Sequence, residues 1–136
     1  MKHHRRSRRD KERGSTVIEF GLCFLLVFGF IYAVFEFGRV VYSYNVLAGA
    51  TREASRYAMV HGSRSSAPAT SDDIRARVAR WAIGLDPSAL NVNTTWTPGT
   101  PQRVLIETTY TITPYTTLLI GAPLTLGSRS EMAVSR

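Results

Sequence analysis

One cysteine, three histidines and two tryptophans are among the scarce residues of this 136-residue chain. A single thiol, Cys23, excludes an intramolecular disulfide. It lies in an apolar run, where a thiol is expected to pack as a small hydrophobe. Of the histidines, His3 and His4 stand near the N-terminus and His61 is remote from both. No metal-ligand spacing results, and no glycine-rich phosphate loop is present. Asp72 and Asp73 are adjacent and better explained by a helix N-terminus than by acid–base chemistry. Nothing in the pattern asks for an enzyme or a cofactor.

The charge is uneven. The chain carries +7 overall, but residues 1–14 hold seven Lys or Arg against Asp10 and Glu12, a net +5. Residues 15–136 hold ten Arg against eight acids, a net +2. The basic character therefore belongs to a short polar tail, expected to be disordered in water. That tail has no aromatic residue for base stacking, so nucleic acid is not an expected partner.

What the sequence does have is a long apolar run. Phe20–Phe35 is unbroken, and Val17, Ile18, Phe37, Val40 and Val41 extend it. A bilayer needs about 20 such residues. Seven cations precede the run and only Arg39 follows closely, which places the N-terminus in the cytoplasm and the rest outside. No proline interrupts Phe35–Val60, and Tyr42, Val46, Ala50, Ala54 and Tyr57/Ala58 keep a helical period. A helix over 15–60 would be about 70 Å long at 1.5 Å per residue. His61–Gly62–Ser63 is its expected stop.

The remainder, 61–136, reads as a small head outside the cytoplasm. Ser71 caps a helix with Asp72 and Asp73 in its first turn, an apolar stripe of Ile74, Val78, Trp81 and Ala82, and Gly84 as the close. Leu90–Trp96 is extended, Pro98–Pro101 is a turn, and Arg103–Thr113 alternates with Val104, Ile106, Thr108, Tyr110 and Ile112 on one face. A connector, Pro114–Pro123, leads to a last alternating run with Leu124, Leu126, Met132 and Val134. Trp81, Trp96 and Tyr110 are expected in the core. Asn93–Thr94–Thr95 matches a glycosylation triplet, a pattern that chance produces often. The fold class is α+β: a long N-terminal transmembrane helix, then a short helix and two to three antiparallel strands. The domains are 1–14, 15–60 and 61–136.

Glu19 is the most informative residue. A charged side chain at the centre of a membrane helix costs about 2.5–3.5 kcal/mol without a partner. Gly14 stands directly before Ser15, at the junction of tail and apolar run. A cut there would give Ser15 a new α-amine and make Glu19 the fifth residue. A neighbouring subunit's amine could then neutralise the carboxylate. Farther on, Glu36 and Arg39 are three apart and could pair at the outer interface.

At these residues the chain resembles a known family. Glu12-Arg13-Gly14 followed by Ser15–Phe20 looks like a class III prepilin leader and cleavage site. Glu36-Phe37-Gly38-Arg39 and Ala50–Ala58 are similar to TadE-like pseudopilins of the tight-adherence (Flp) pilus system. The resemblance implies cleavage by a prepilin peptidase between Gly14 and Ser15, and recognition and subunit pairing through Glu19 and Phe20. It further implies a minor pilin needed for assembly of a pilus serving adhesion and biofilm formation. The implied partners are membrane lipid, the peptidase, other pilin and pseudopilin subunits and the assembly platform. The implied location is the inner membrane or the extracellular pilus. Glu36 and Arg39 recur in the family without an implied role.

Two other readings compete. A secretory signal with Ala48-Gly49-Ala50 as its cleavage site is disfavoured, because that triplet lies more than ten residues past the apolar run. An uncleaved single-pass anchor presenting an external binding domain shares the topology and differs only in processing and partners.

Overall fold

In the computed structural model, residues 6–115 and 122–134 are described, the first eight of them as backbone. Residues 1–5 of the basic tail and 116–121 of the connector lie outside the described residues. The architecture is α+β. Helix α1 spans Arg6–Val60 and α2 spans Ser71–Trp81. A single 3-10 turn, Pro87–Ala89, precedes the strands β1 (Leu90–Thr97), β2 (Arg103–Ile112) and β3 (Leu124–Ala133).

The chain divides into two compact units, Met1–Gly38 and Arg39–Arg136. The first is helix alone. Its helix begins at Arg6, about two turns before the expected start at Ser15. That corrects the reading of the tail as unstructured over residues 6–14. Between Arg6 and Arg13 only good or neutral helix formers occur, so a helix already nucleated downstream extends through them at little cost. The apolar side chains of this unit are exposed: Leu26 is 74% accessible and Phe30 72%. Cys23 is exposed as well, against the expectation of a packed thiol. The helix is long and apolar enough to cross a membrane.

The second unit contains the core. Its part of α1 contributes Leu47, Ala50, Ala54 and Ala58, all at most 1% exposed, along a 3-4-4 stripe. Alanine at three of these four positions lets neighbouring elements approach the helix backbone closely. Tyr42, expected on this stripe, is instead exposed, and Leu47 takes the buried place. Ser43, Thr51 and Ser55 are also buried on this side. The hydroxyls of Thr51 and Ser55 are tolerated because they bond back to the preceding turn: Thr51 Oγ1 donates to the Leu47 carbonyl at 2.8 Å, and Ser55 Oγ to that of Thr51 at 2.9 Å. Thr51 Oγ1 also shares a hydrogen bond with Thr108 Oγ1 on β2.

Helix α2 starts one residue earlier than expected. Thr70, not Ser71, is the cap, in a capping box with Asp73. Thr70 Oγ1 accepts from the Asp73 amide at 3.2 Å, and Asp73 accepts from the Thr70 amide at 2.9 Å. Ile74, Val78 and Ala82 are buried as expected, but Trp81 is half exposed, which corrects its assignment to the core. Residues 74, 78 and 82 keep a strict four-residue spacing, and Trp81 falls about 100° away from Ala82 around the axis. The helix hands over at Ala82, ahead of Gly84, whose φ of 79° makes the left-handed turn that follows.

The sheet is an antiparallel meander in the order β1-β2-β3. Val104, Ile106, Thr108 and Ile112 are buried on the inner face of β2, as the alternation predicts. Tyr110, Trp96, Leu126 and Met132 are partly buried against the same core. On the outer face the pairing sets Glu107 opposite Arg129 and places Arg103 within reach of Glu131.

Candidate assembly surface on the N-terminal helix

Gly14, Ser15, Glu19 and Phe20 all lie in helical backbone near the start of α1 and are exposed. Among the described residues, nothing lies within 4 Å of where a Cβ on Gly14 would stand. Ser15 and Glu19 are one turn apart and share a face. Phe20 is 71% exposed and begins an aromatic ridge. Its ring centroid is 6.4 Å from that of Phe24, which is 5.4 Å from Phe28. Glu19 and Phe20 point about 100° apart, so the acid and the ridge occupy adjacent faces. An exposed apolar helix with one acid at its head can bury its faces only against lipid or another helix.

Glu36 and Arg39, three residues apart in α1, are placed differently from the exposed group. Glu36 is 6% exposed and Arg39 is half-buried, and both are engaged with neighbours. Arg39 Nη2 donates to the Thr113 carbonyl at 2.9 Å, and its guanidinium lies 4.4 Å over the Tyr115 ring. No residue pattern marks this link, because its acceptor is a backbone carbonyl 74 residues away. The late end of α1 carries a second stack. Tyr57 lies against His61 at 4.1 Å, and Arg77 of α2 sits 4.3 Å from the same tyrosine. His61 Nδ1 is 3.0 Å from the Tyr57 carbonyl. This histidine therefore belongs to a helix end.

Two carboxylates of the head are held below the usual range. Asp73 is lowered by hydrogen bonds from the Thr70 side chain and backbone, and Asp86 by those from the Ser88 backbone and side chain. Both are capping acids. Among the described residues there is no group of three or more His, Cys, Asp or Glu able to hold a metal.

A shallow polar hollow of about 480 Å³ lies between the α1–α2 loop, the β1–β2 turn and the end of β3, lined by Ser63, Arg64, Thr100, Gln102 and Val134 among others. Ser63 Oγ donates to Gln102 Oε1 at 2.8 Å, so its polar groups already satisfy one another in part.

Comparison with known proteins locates the informative segment. No curated protein and no solved structure matches the chain. Residues 14–56 match the family described as TadE-like protein. The matched segment begins at Gly14, contains Ser15, Glu19, Phe20, Glu36 and Arg39, and ends within the stripe that α1 gives to the core. Over residues 14–56, therefore, the chain is similar to the TadE-like family, and its strands lie outside the matched segment.

Proposed function

We propose that the chain is a minor pilin, or pseudopilin, needed to assemble a tight-adherence pilus that serves surface adhesion and biofilm formation. The observation that carries this reading is a coincidence of positions. The family match opens at Gly14, the residue that also separates a basic tail from a membrane-length apolar helix. In this reading a prepilin peptidase cuts between Gly14 and Ser15. Gly14 has the poorest helix propensity between Arg6 and Phe20, about 1 kcal/mol worse than alanine. The helix therefore opens there most readily for a protease that needs an extended strand.

The new amine of Ser15 then pairs with Glu19 of a neighbouring subunit, and the aromatic ridge from Phe20 packs between helices. Neutralising the acid removes the penalty of an unpaired carboxylate in lipid, and the pairing fixes the stagger between subunits. The basic segment holds the N-terminus in the cytoplasm and the head outside. Glu36 and Arg39 serve the fold in this scheme. Membrane lipid, the peptidase, sister pilins and the assembly platform are the partners.

The continuity of α1 through Gly14 favours a second reading, an uncleaved anchor that displays the head. One experiment separates them. The protein is taken from its native membrane, with and without the prepilin peptidase, and its intact mass and N-terminal sequence are determined. The pilin reading expects a start at Ser15 only when the peptidase is present. A start at Met1 in both overturns it in favour of the anchor. In a processed protein, Glu19→Ala is expected to abolish co-isolation with sister pilins while the chain stays in the membrane.

A further inference from the structure

Among the described residues, the Arg39–Arg136 unit exposes several large apolar or aromatic side chains: Tyr115 71%, Ile83 69%, Tyr42 52%, Trp81 49% and Leu124 45%. They come from separate stretches of chain, and the first turns of this unit's helix hold two of them, Ile83 and Tyr115. Tyr42 Oη donates to the Ile83 carbonyl at 3.3 Å. A Cβ built at Gly84 would stand 3.5 Å from the same oxygen, so the turn after α2 is held close against that helix. One turn earlier, Arg39 holds Thr113 and Tyr115 by the hydrogen bond and ring contact described above. Leu124 is the cross-strand partner of Ile112, beside Thr113. Val60, also exposed, is about five turns farther along α1.

Chain length says where this group stands relative to a bilayer. Val17–Gly38 covers about 33 Å as helix, close to the ~30 Å hydrocarbon thickness. The headgroup layer adds about 5–8 Å on each side, which is the rise of the next four or five helical residues. Those residues are Arg39–Ser43, the turn that holds Ile83 and Tyr115. Trp and Tyr prefer this depth because their rings are apolar and their tips polar. We propose that Tyr42, Trp81, Ile83, Tyr115 and Leu124 form a collar seated in the headgroup layer of a phospholipid bilayer. It fastens the head to the membrane surface in addition to the single span.

The collar rests on the reading of α1 as a membrane span, and the test separates the two. The full chain is reconstituted in phosphatidylcholine–phosphatidylglycerol vesicles carrying one fluorescent thiol label. The label sits on native Cys23, or, in a Cys23→Ser background, on Ile83→Cys, Tyr115→Cys or Thr95→Cys. Quenching is measured with iodide on both sides of the membrane and with a lipid bearing a shallow nitroxide. Labels at 83 and 115 are expected to resist iodide severalfold better than the label at 95, which lies on the outer sheet face, and to be quenched by the nitroxide lipid. Two positions are probed so that one misfolded variant does not decide the matter. If 83 and 115 respond as 95 does while Cys23 stays protected, the collar is overturned and the span stands. If Cys23 is also open to iodide, the membrane reading fails first and the collar with it. Protection at 83 and 115 that vanishes as protein is diluted in lipid would mean that a second copy covers the patch, which also overturns it.

Discussion

The two units of this chain use apolar residues in opposite ways. From Val17 to Phe37 the large apolar side chains are exposed, most of them more than half accessible. From Leu47 onward the apolar residues are fewer and smaller, and Leu47, Ala54, Ile74, Val78, Val104 and Ile106 are fully enclosed. The first unit needs an external apolar environment; the second makes its own. The family match runs across both and stops at Arg56, so it follows the helix and leaves the strands out.

The largest test of this contrast is a pair of truncations in the full chain held in detergent. Ile106→Ala removes a fully buried side chain and is expected to cost about 2–5 kcal/mol in denaturant unfolding of the head. Leu26→Ala, at a 74% exposed position, is expected to change the same transition by less than about 0.5 kcal/mol. Equal effects would mean that the two regions are not distinct.

The next effect concerns the polar core. Thr51→Val leaves Thr108 with only the longer contact to the Ser128 carbonyl, at 3.4 Å, and is expected to cost about 1–3 kcal/mol. The double variant Thr51→Val, Thr108→Val removes both hydroxyls and should recover part of that loss. A double variant as unstable as the sum of the singles would show that the pair is not coupled.

Smaller again is the α2 cap. Thr70→Ala is expected to cost about 0.5–2 kcal/mol, read as a lower unfolding midpoint. Asp73 adds a pH dependence. Its folded pKa lies below the unfolded value, so the folded state binds its proton less readily than the unfolded state does. The stabilisation is therefore present above the unfolded carboxylate pKa, about 3.9, and is lost as pH falls through the folded value. Asp73→Asn should separate from the parent at neutral pH and converge with it in acid. A gap that stays constant down to the acid limit would assign the effect to shape alone.

The least effect is expected on the outer sheet face. Arg103 and Glu131 are 3.2 Å apart with side chains 61% and 44% exposed. Removing either is expected to cost at most about 1 kcal/mol, falling with added salt. A larger, salt-independent loss would mean that this face is covered by a partner.

Much of this architecture is legible in the residues. The membrane-length helix follows from an apolar run with one acid, and its end at Val60 from His61–Gly62–Ser63. β2 follows from strict alternation over ten residues. The cap of α2 is misplaced by one position because Thr70 and Ser71 are equally good caps locally; the reach of Asp73 back to Thr70 decides between them. Trp81 is misread because size argues for burial, whereas the spacing of Ile74, Val78 and Ala82 fixes which side of α2 is covered. The proposed cleavage and assembly residues, Gly14, Ser15, Glu19 and Phe20, rest on order along the chain within the segment of the family match, and the fold of one chain does not bear on them.

By itself the sequence determined the elements: a basic tail, one apolar helix with Glu19 at its head, and an α+β remainder, all set by local period and charge. Tertiary structure alone decided that Arg39 ties to Thr113 and Tyr115, that Thr51 meets Thr108, and that Tyr42 bonds to the Ile83 carbonyl. The hydrogen bonds among those links join residues 41 to 74 positions apart, two of them through backbone carbonyls that every residue carries. No pattern of side chains along a single chain can mark such an acceptor before the fold brings it into reach.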